Sequence, residues 1–216
     1  MKALTFSYDD GQYADKRLTE IFNKYGMKCT FNLNGAHLVH SSRINEGQRK
    51  LSIEDMRELY AGHEIALHGY SHPLIADLSR EMCELEIIAD KVSLTEAFGK
   101  TPVGMAYPYG HYSDLVVDVL REQGVKYSRT TRATYNFKPQ TDLLRFDPTC
   151  HHKAGNLMEL AKEFAEAEPT EPMLFYVWGH SFEFEREDNF DIIERFCEYL
   201  TGRDDVFFGT NEECLL

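Results

Sequence analysis

The feature that most restricts the fold of this chain is an alternation. Short apolar, β-branched and aromatic runs are separated by longer amphipathic segments, and glycine closes many of them. Ala3 to Tyr8 reads as a buried strand. The stretch 14–25 reads as a helix with Leu18, Ile21, Phe22 and Tyr25 on one face and Gly26 as its stop. Cys29 to Leu33 is the next strand candidate, followed by a helix from Ser52 through Tyr60 and a strand at 64–67. The longest helix is expected over 79–98, ahead of Gly99. Further strands are expected at 103–107, 125–130, 143–146, 173–178 and 206–209, with helices near 113–123, 157–166 and 190–200. Strands that return to one sheet in the same direction need a crossover, which a helix provides. The pattern therefore predicts an α/β fold, a distorted or incomplete (β/α) barrel of about seven parallel strands, as one domain over 1–216. A doubly wound open sheet is the alternative, but the Gly-rich nucleotide loops that accompany it are missing from the sequence.

Composition excludes some partners. The 216 residues carry 36 acidic and 23 basic side chains, a net charge of −13, with the basic residues scattered. A polyphosphate would be repelled over most of such a surface, so neither nucleic acid nor an anionic membrane is expected as a partner. No stretch is apolar for long enough to span a bilayer. Cys29, Cys83, Cys150, Cys197 and Cys214 are odd in number and widely spaced, which gives neither a disulfide framework nor a zinc knuckle. The chain opens directly on a strand-like run without a basic, apolar leader, so a cytoplasmic location is expected, although a mature secreted form would read the same.

Polar residues gather behind the expected strands. Asp9 and Asp10 follow the first, His68 and His72 the third, Tyr107 to Tyr109 the next, Asp147 a later one, and His180 the run 173–178. In a parallel barrel all of these positions share the carboxyl-end rim, where active sites are built. One carboxylate with two imidazoles only partly coordinates a divalent cation, and the open positions can acidify water or polarise a carbonyl. Gly69 and Pro73 place His68 and His72 on a loop rather than a helix. Adjacent aspartates can divide labour, one neutralising the metal and one accepting a proton. These residues point to a metal-assisted hydrolase.

The segments Ser7-Tyr8-Asp9-Asp10-Gly11, Gly62 to Pro73 and Tyr107-Pro108-Tyr109-Gly110, in that order, resemble the polysaccharide deacetylases of carbohydrate esterase family four. The resemblance implies a distorted barrel and a divalent metal, most often zinc, with cobalt, nickel or iron as alternatives. It implies Asp10, His68 and His72 as metal ligands and Asp9 as the general base. The backbone N–H of Tyr109 would be an oxyanion donor, His180 in Val177-Trp178-Gly179-His180 the general acid, and Trp178 an apolar contact for the acetyl methyl. The substrate implied is an N-acetylated or O-acetylated sugar. A small non-sugar amide or ureide, or a carbohydrate-binding relative with weakened catalysis, are the other readings.

The chain departs from the family pattern in places. Ala106 stands where many members carry an arginine that positions the catalytic aspartate, so Arg129 or Arg145 is expected to supply that charge from another strand. Asp147 lies in a loosely matching region and is, with Arg129 and Arg145, a candidate for positioning the base. Cys150-His151-His152 is a second group of possible ligands, for which a surface or substrate-groove position is expected. Tyr112, Tyr135 and Phe137 are expected on loops of the active face, where they could stack on sugar rings.

Overall fold

The computed structural model describes residues 1–45 and 47–216. Strand β1 (Lys2–Asp9) is buried along all eight residues, its polar Lys2, Thr5, Ser7 and Asp9 included, as in a strand covered on both faces. Helix α1 (Asp15–Lys24) packs Leu18, Ile21 and Phe22 inward and leads to β2 (Cys29–Leu33). Helix α2 (Ile53–Leu59) starts on a capping box in which the Ser52 hydroxyl accepts from Asp55 N–H and the Asp55 carboxylate accepts from Ser52 N–H. It leads to β3 (Glu64–Leu67). Helix α3 (Arg80–Phe98) is capped by Ser79 and ends at Gly99, whose φ of 76° is the left-handed conformation of a C-terminal cap. Strand β4 (Gly104–Ala106), helix α4 (Asp114–Glu122) and strand β5 (Tyr127–Arg129) follow.

Then come β6 (Cys150–His151), α5 (Leu157–Glu166), β7 (Met173–Gly179), α6 (Ser181–Glu187), α7 (Asp191–Leu200), β8 (Val206–Phe208) and α8 (Asn211–Leu215). The described strands pair in parallel in the order β5-β4-β3-β2-β1-β7-β6. Strand β1 pairs with β7 from Lys2 to Tyr8, while its other edge is shared, β8 taking Lys2 to Leu4 and β2 taking Phe6 to Asp9. That sharing marks a distorted barrel, and the parallel pairing sets the carboxyl ends of β1, β2, β3 and β7 on one rim.

The strand expected at 143–146 does not form. Leu143–Arg145 is a turn of 3-10 helix, and Phe146 alone reaches the sheet: its N–H donates to Ser128 O and its carbonyl accepts from Thr130 N–H. The chain then crosses to β7, where Thr149 N–H donates to Tyr176 O and β6 pairs Cys150 and His151 with Val177 and Trp178. Pro148 explains the break, because it has no N–H to continue a ladder and restricts the residue before it. Phe137 corrects a second expectation. It is 6% exposed and packs on Phe164 and Phe175, with ring centroids 5.2 and 5.1 Å away. Its carbonyl accepts from Leu174 N–H at the amino end of β7, the end away from the rim.

Candidate active site

Asp9 is the last residue of β1 and is only 3% exposed. Arg129 Nη2 donates to both of its carboxylate oxygens, at 2.8 and 2.5 Å, and Asn32 Nδ2 donates to Oδ1 at 2.8 Å. Burial pushes the Asp9 carboxyl up, but the Arg129 charge and hydrogen bond, with the His68 and His180 imidazoles, outweigh it and hold the group below its ordinary value. Arg129 itself is 1% exposed, with its guanidinium 4.4 Å from the Trp178 ring. In the β4–β5 ladder Arg129 lies directly opposite Ala106. The cation absent from position 106 is thus delivered at the same level from the next strand. Arg145 does not contribute to Asp9: its guanidinium pairs with Asp142 and Asp114 at 2.8 and 2.7 Å. Asp147 is likewise engaged elsewhere, accepting from Thr130 Oγ1 at 2.5 Å and Arg132 Nε at 2.8 Å.

Asp10 turns away from the strand with φ at 78°, its N–H held by Asn32 O at 3.0 Å. His72 and Tyr109 also have positive φ, 58° and 57°, so three of the five such non-glycine residues described lie at this rim. Strain concentrated in this way accompanies functional geometry. His68 Nδ1 donates to Ala106 O at 2.8 Å, which leaves the lone pair of Nε2 facing the rim. Burial of the ring favours the neutral form and, despite Asp9 and Asp10, keeps its pKa below the usual histidine value. Asp10 Oδ1 is 3.6 Å from His68 Nε2 and 3.7 Å from His72 Nε2. These separations exceed hydrogen-bond length, yet the three ligand atoms all lie within 4.8 Å of one another. A carboxylate with two imidazole lone pairs turned to a common point is a donor set that fits zinc or a related divalent cation.

The loop carrying the histidines is fastened from below. Asn34 Nδ2 donates to the carbonyls of His68 and Gly69 at 2.7 and 2.6 Å. Asp90 accepts from the backbone N–H groups of His68 at 3.0 Å and Gly35 at 2.7 Å, and burial pushes its carboxyl up to about 7. Sequence reasoning missed Asp90. Its signal was an acid on the same helical face as Cys83, Ile87 and Leu94, all of which are buried. Tyr109 lies in the 3-10 turn Pro108–Gly110 with its ring edge-on to His72, 4.6 Å between centroids.

His180 caps α6 and places Nε2 3.9 Å from both Asp9 Oδ2 and Asp10 Oδ2. Burial pulls its pKa down, but a Glu183 hydrogen bond and the two aspartates outweigh that and raise it above the usual value. Glu183 was also missed; its Oε2 lies 3.4 Å from His180 Nδ1, 3.1 Å from His151 Nε2 and 3.4 Å from His152 Nε2. His152 is not at the surface as expected. It is 1% exposed, stacked against Tyr8 and Phe184, because β6 lies beside β7 and turns the ring inward. Tyr112 stacks on Tyr107 at 5.0 Å, and Tyr135 stays exposed.

Residues 1–128 match the family model described as polysaccharide deacetylase. The chain belongs to the polysaccharide deacetylase family. The match includes Asp9, Asp10, His68, His72 and Tyr109 and stops one residue before Arg129. A peptidoglycan deacetylase of Helicobacter pylori is 27% identical over 120 residues, covering 56% of this chain and 38% of that relative. The chain therefore spans well under half the length of that curated deacetylase. The fold is shared with the carbohydrate esterase family four domain of a multidomain xylanase from a Trinervitermes trinervoides hindgut metagenome. That structure has a TM-score of 0.65 at 17% identity, over 99% of this chain and 89% of the other. It is shared too with a family pseudoenzyme from Bacillus anthracis, TM-score 0.60 at 18% identity, over 100% of this chain and 65% of that one. Polysaccharide deacetylase architecture thus accommodates active and inactive sites, and the residues at the rim carry the functional argument.

Proposed function

We propose that this protein is a metal-dependent hydrolase that removes acetyl groups from N-acetylated or O-acetylated carbohydrate. The observation that carries the reading is the separation of the two aspartates: Asp9 is buried and held ionised by Arg129, while Asp10 faces the imidazoles of His68 and His72. Asp10, His68 and His72 would hold the cation, zinc in the first place, with cobalt, nickel or iron compatible with the same donors. When bound, such an ion supplies Lewis acidity toward the acetyl carbonyl and toward water.

The chain's own residues supply the proton transfers. Asp9 takes a proton from the attacking water, and Arg129 keeps it ionised for that purpose. The backbone N–H of Tyr109 donates to the developing oxyanion, and Trp178 packs on the acetyl methyl. His180, whose raised pKa favours the protonated ring, gives a proton to the departing nitrogen. Acetate release from N-acetylglucosamine oligomers, with metal content measured on the same samples, tests this reading. Asp9→Asn should abolish turnover with metal retained, whereas Asp10→Asn should weaken metal binding itself. Equal loss of metal in both variants, or release of acetate from no sugar substrate, refutes it.

A further inference from the structure

We propose that Glu183 is the positioning residue that aims His180, a tether supplied from within α6. The inference rests on the proposed role of His180 as general acid. Asp147 is unsuited to the task because Thr130 and Arg132 occupy its two oxygens. Glu183 stands one helical turn after His180, so its carboxylate folds back on the residue that caps the helix. Oε2 accepts from His180 N–H at 3.3 Å and lies 3.4 Å from His180 Nδ1. With the Nδ1 proton directed at this carboxylate, Nε2 is the ring atom turned toward Asp9 and Asp10.

A second strand completes the arrangement. His151 in β6 is opposite Trp178 in β7, which brings its ring to the same carboxylate. Lys153 N–H donates to His151 Nδ1 at 3.1 Å, so the ring's proton sits on Nε2, 3.1 Å from Glu183 Oε2. A nitrogen that already carries a proton is a donor to the carboxylate and not a ligand to a cation. His151, His180 and Glu183 are close enough for a metal, but this tautomer makes them a hydrogen-bonded group instead. His152 fills the space beneath, between Tyr8 and Phe184, with Nε2 3.4 Å from Glu183 Oε2. Gly179 makes the room, since a Cβ there would lie 1.9 Å from His152 Nδ1. Glu183 is held in place by groups from β6 and α6 rather than left to rotate at the surface.

The consequence is chemical. As the carbon–nitrogen bond breaks, the Nε2 proton of His180 passes to the leaving nitrogen, and the neutral ring keeps the proton on its own Nδ1, donated in a hydrogen bond to the Glu183 carboxylate. An amine needs that proton in order to leave, whereas a nitrophenolate does not. The test is therefore the ratio of two rates in Glu183→Gln, on an N-acetylglucosamine oligomer and on para-nitrophenyl acetate. Gln preserves an acceptor for His180 N–H but not the charge. We expect kcat on the amide to fall about 10- to 100-fold, with a far smaller fall on the aryl ester and unchanged metal content. Glu183→Asp should recover part of the amide rate.

Equal falls on both substrates, or an undiminished amide rate, would overturn the proposal. Nitrogen NMR of the neutral His180 ring in the wild-type protein, assigned with His180→Gln, is an independent measurement. A proton on Nδ1 supports the tether and a proton on Nε2 alone overturns it, even if Glu183→Gln fails to fold. Should the wild-type protein release no acetate from any sugar, the deacetylase reading fails, and the NMR result alone decides what Glu183 does.

Discussion

Replacing Arg129 with methionine takes the guanidinium away from a carboxylate that has almost no access to water. Asp9 and Arg129 are 3% and 1% exposed, and one nitrogen, Nη2, contacts both Asp9 oxygens. Breaking such a pair leaves a buried charge with Asn32 Nδ2 and two imidazole nitrogens at 3.9 Å as its remaining neighbours. The expected cost is about 3–5 kcal/mol, a large part of an ordinary domain's stability. The pH dependence should invert as well. In the native protein the Asp9 pKa is lowered, so its stabilising contribution is present above about pH 4 and is lost as pH falls through the folded value.

Without Arg129, burial dominates and the folded carboxyl holds its proton to higher pH than the unfolded one. The deficit of the variant should then grow as pH rises from about 4. Urea denaturation of metal-free protein at about pH 4 and about pH 8 measures both effects. A deficit below about 1 kcal/mol at the higher pH, or one of equal size at both, would refute the reasoning. Arg129→Lys refines it: an ammonium can take the place of Nη2 but loses the flat contact with Trp178, now 4.4 Å away. Lysine should restore the native direction of the pH dependence and only part of the stability.

Three further outcomes are expected. Zinc at about 100 times its Kd should stabilise the wild-type protein by about 2.7 kcal/mol and His68→Ala far less; equal shifts in thermal melts would remove His68 from the ligand set. Asp15 is fully buried, accepts from Tyr60 Oη at 2.6 Å, and has its carboxyl pushed up to about 7 by burial. The folded state therefore holds a proton that the unfolded state releases between about pH 4 and pH 7, and stability falls as pH rises through that window. Asp15→Asn should become progressively more stable than wild type across it, and a difference independent of pH would contradict this. Gly104→Ala would set a Cβ 1.9 Å from Tyr127 Cζ, in a buried ring whose hydroxyl donates to Glu64 Oε1 at 2.7 Å. We expect a loss of about 3 kcal/mol or more by denaturant titration, and a loss under about 1 kcal/mol would show that the ring yields.

Local pattern carried much of the architecture. Helices α1, α2, α3, α4 and α7 follow the periodicity of their apolar faces, and Ser52, Ser79 and Gly99 stop or start them where their chemistry requires. The region between β5 and β7 was not legible in this way. Leu143 to Phe146 has the composition of a strand, but Pro148 interrupts any ladder, and the two-residue β6 is too short to leave a period. Phe137 reads as a loop aromatic because its neighbours are polar, whereas its place on the core is set by pairing with Leu174.

For the site, the sequence by itself determined the candidate ligands and base: Asp9, Asp10, His68 and His72 stand at the ends of strands whose parallel order obliges them to share a rim. Tertiary structure alone decided their environment. The choice of Arg129 over Arg145 depends on which strand lies beside β4, and Asp147 is unavailable because Thr130 and Arg132 already take its oxygens. Neither is a property of spacing along the chain. A charge at the rim acts through distance and desolvation, and folding sets both for Asp9 by bringing Arg129 to it from 120 positions along the chain.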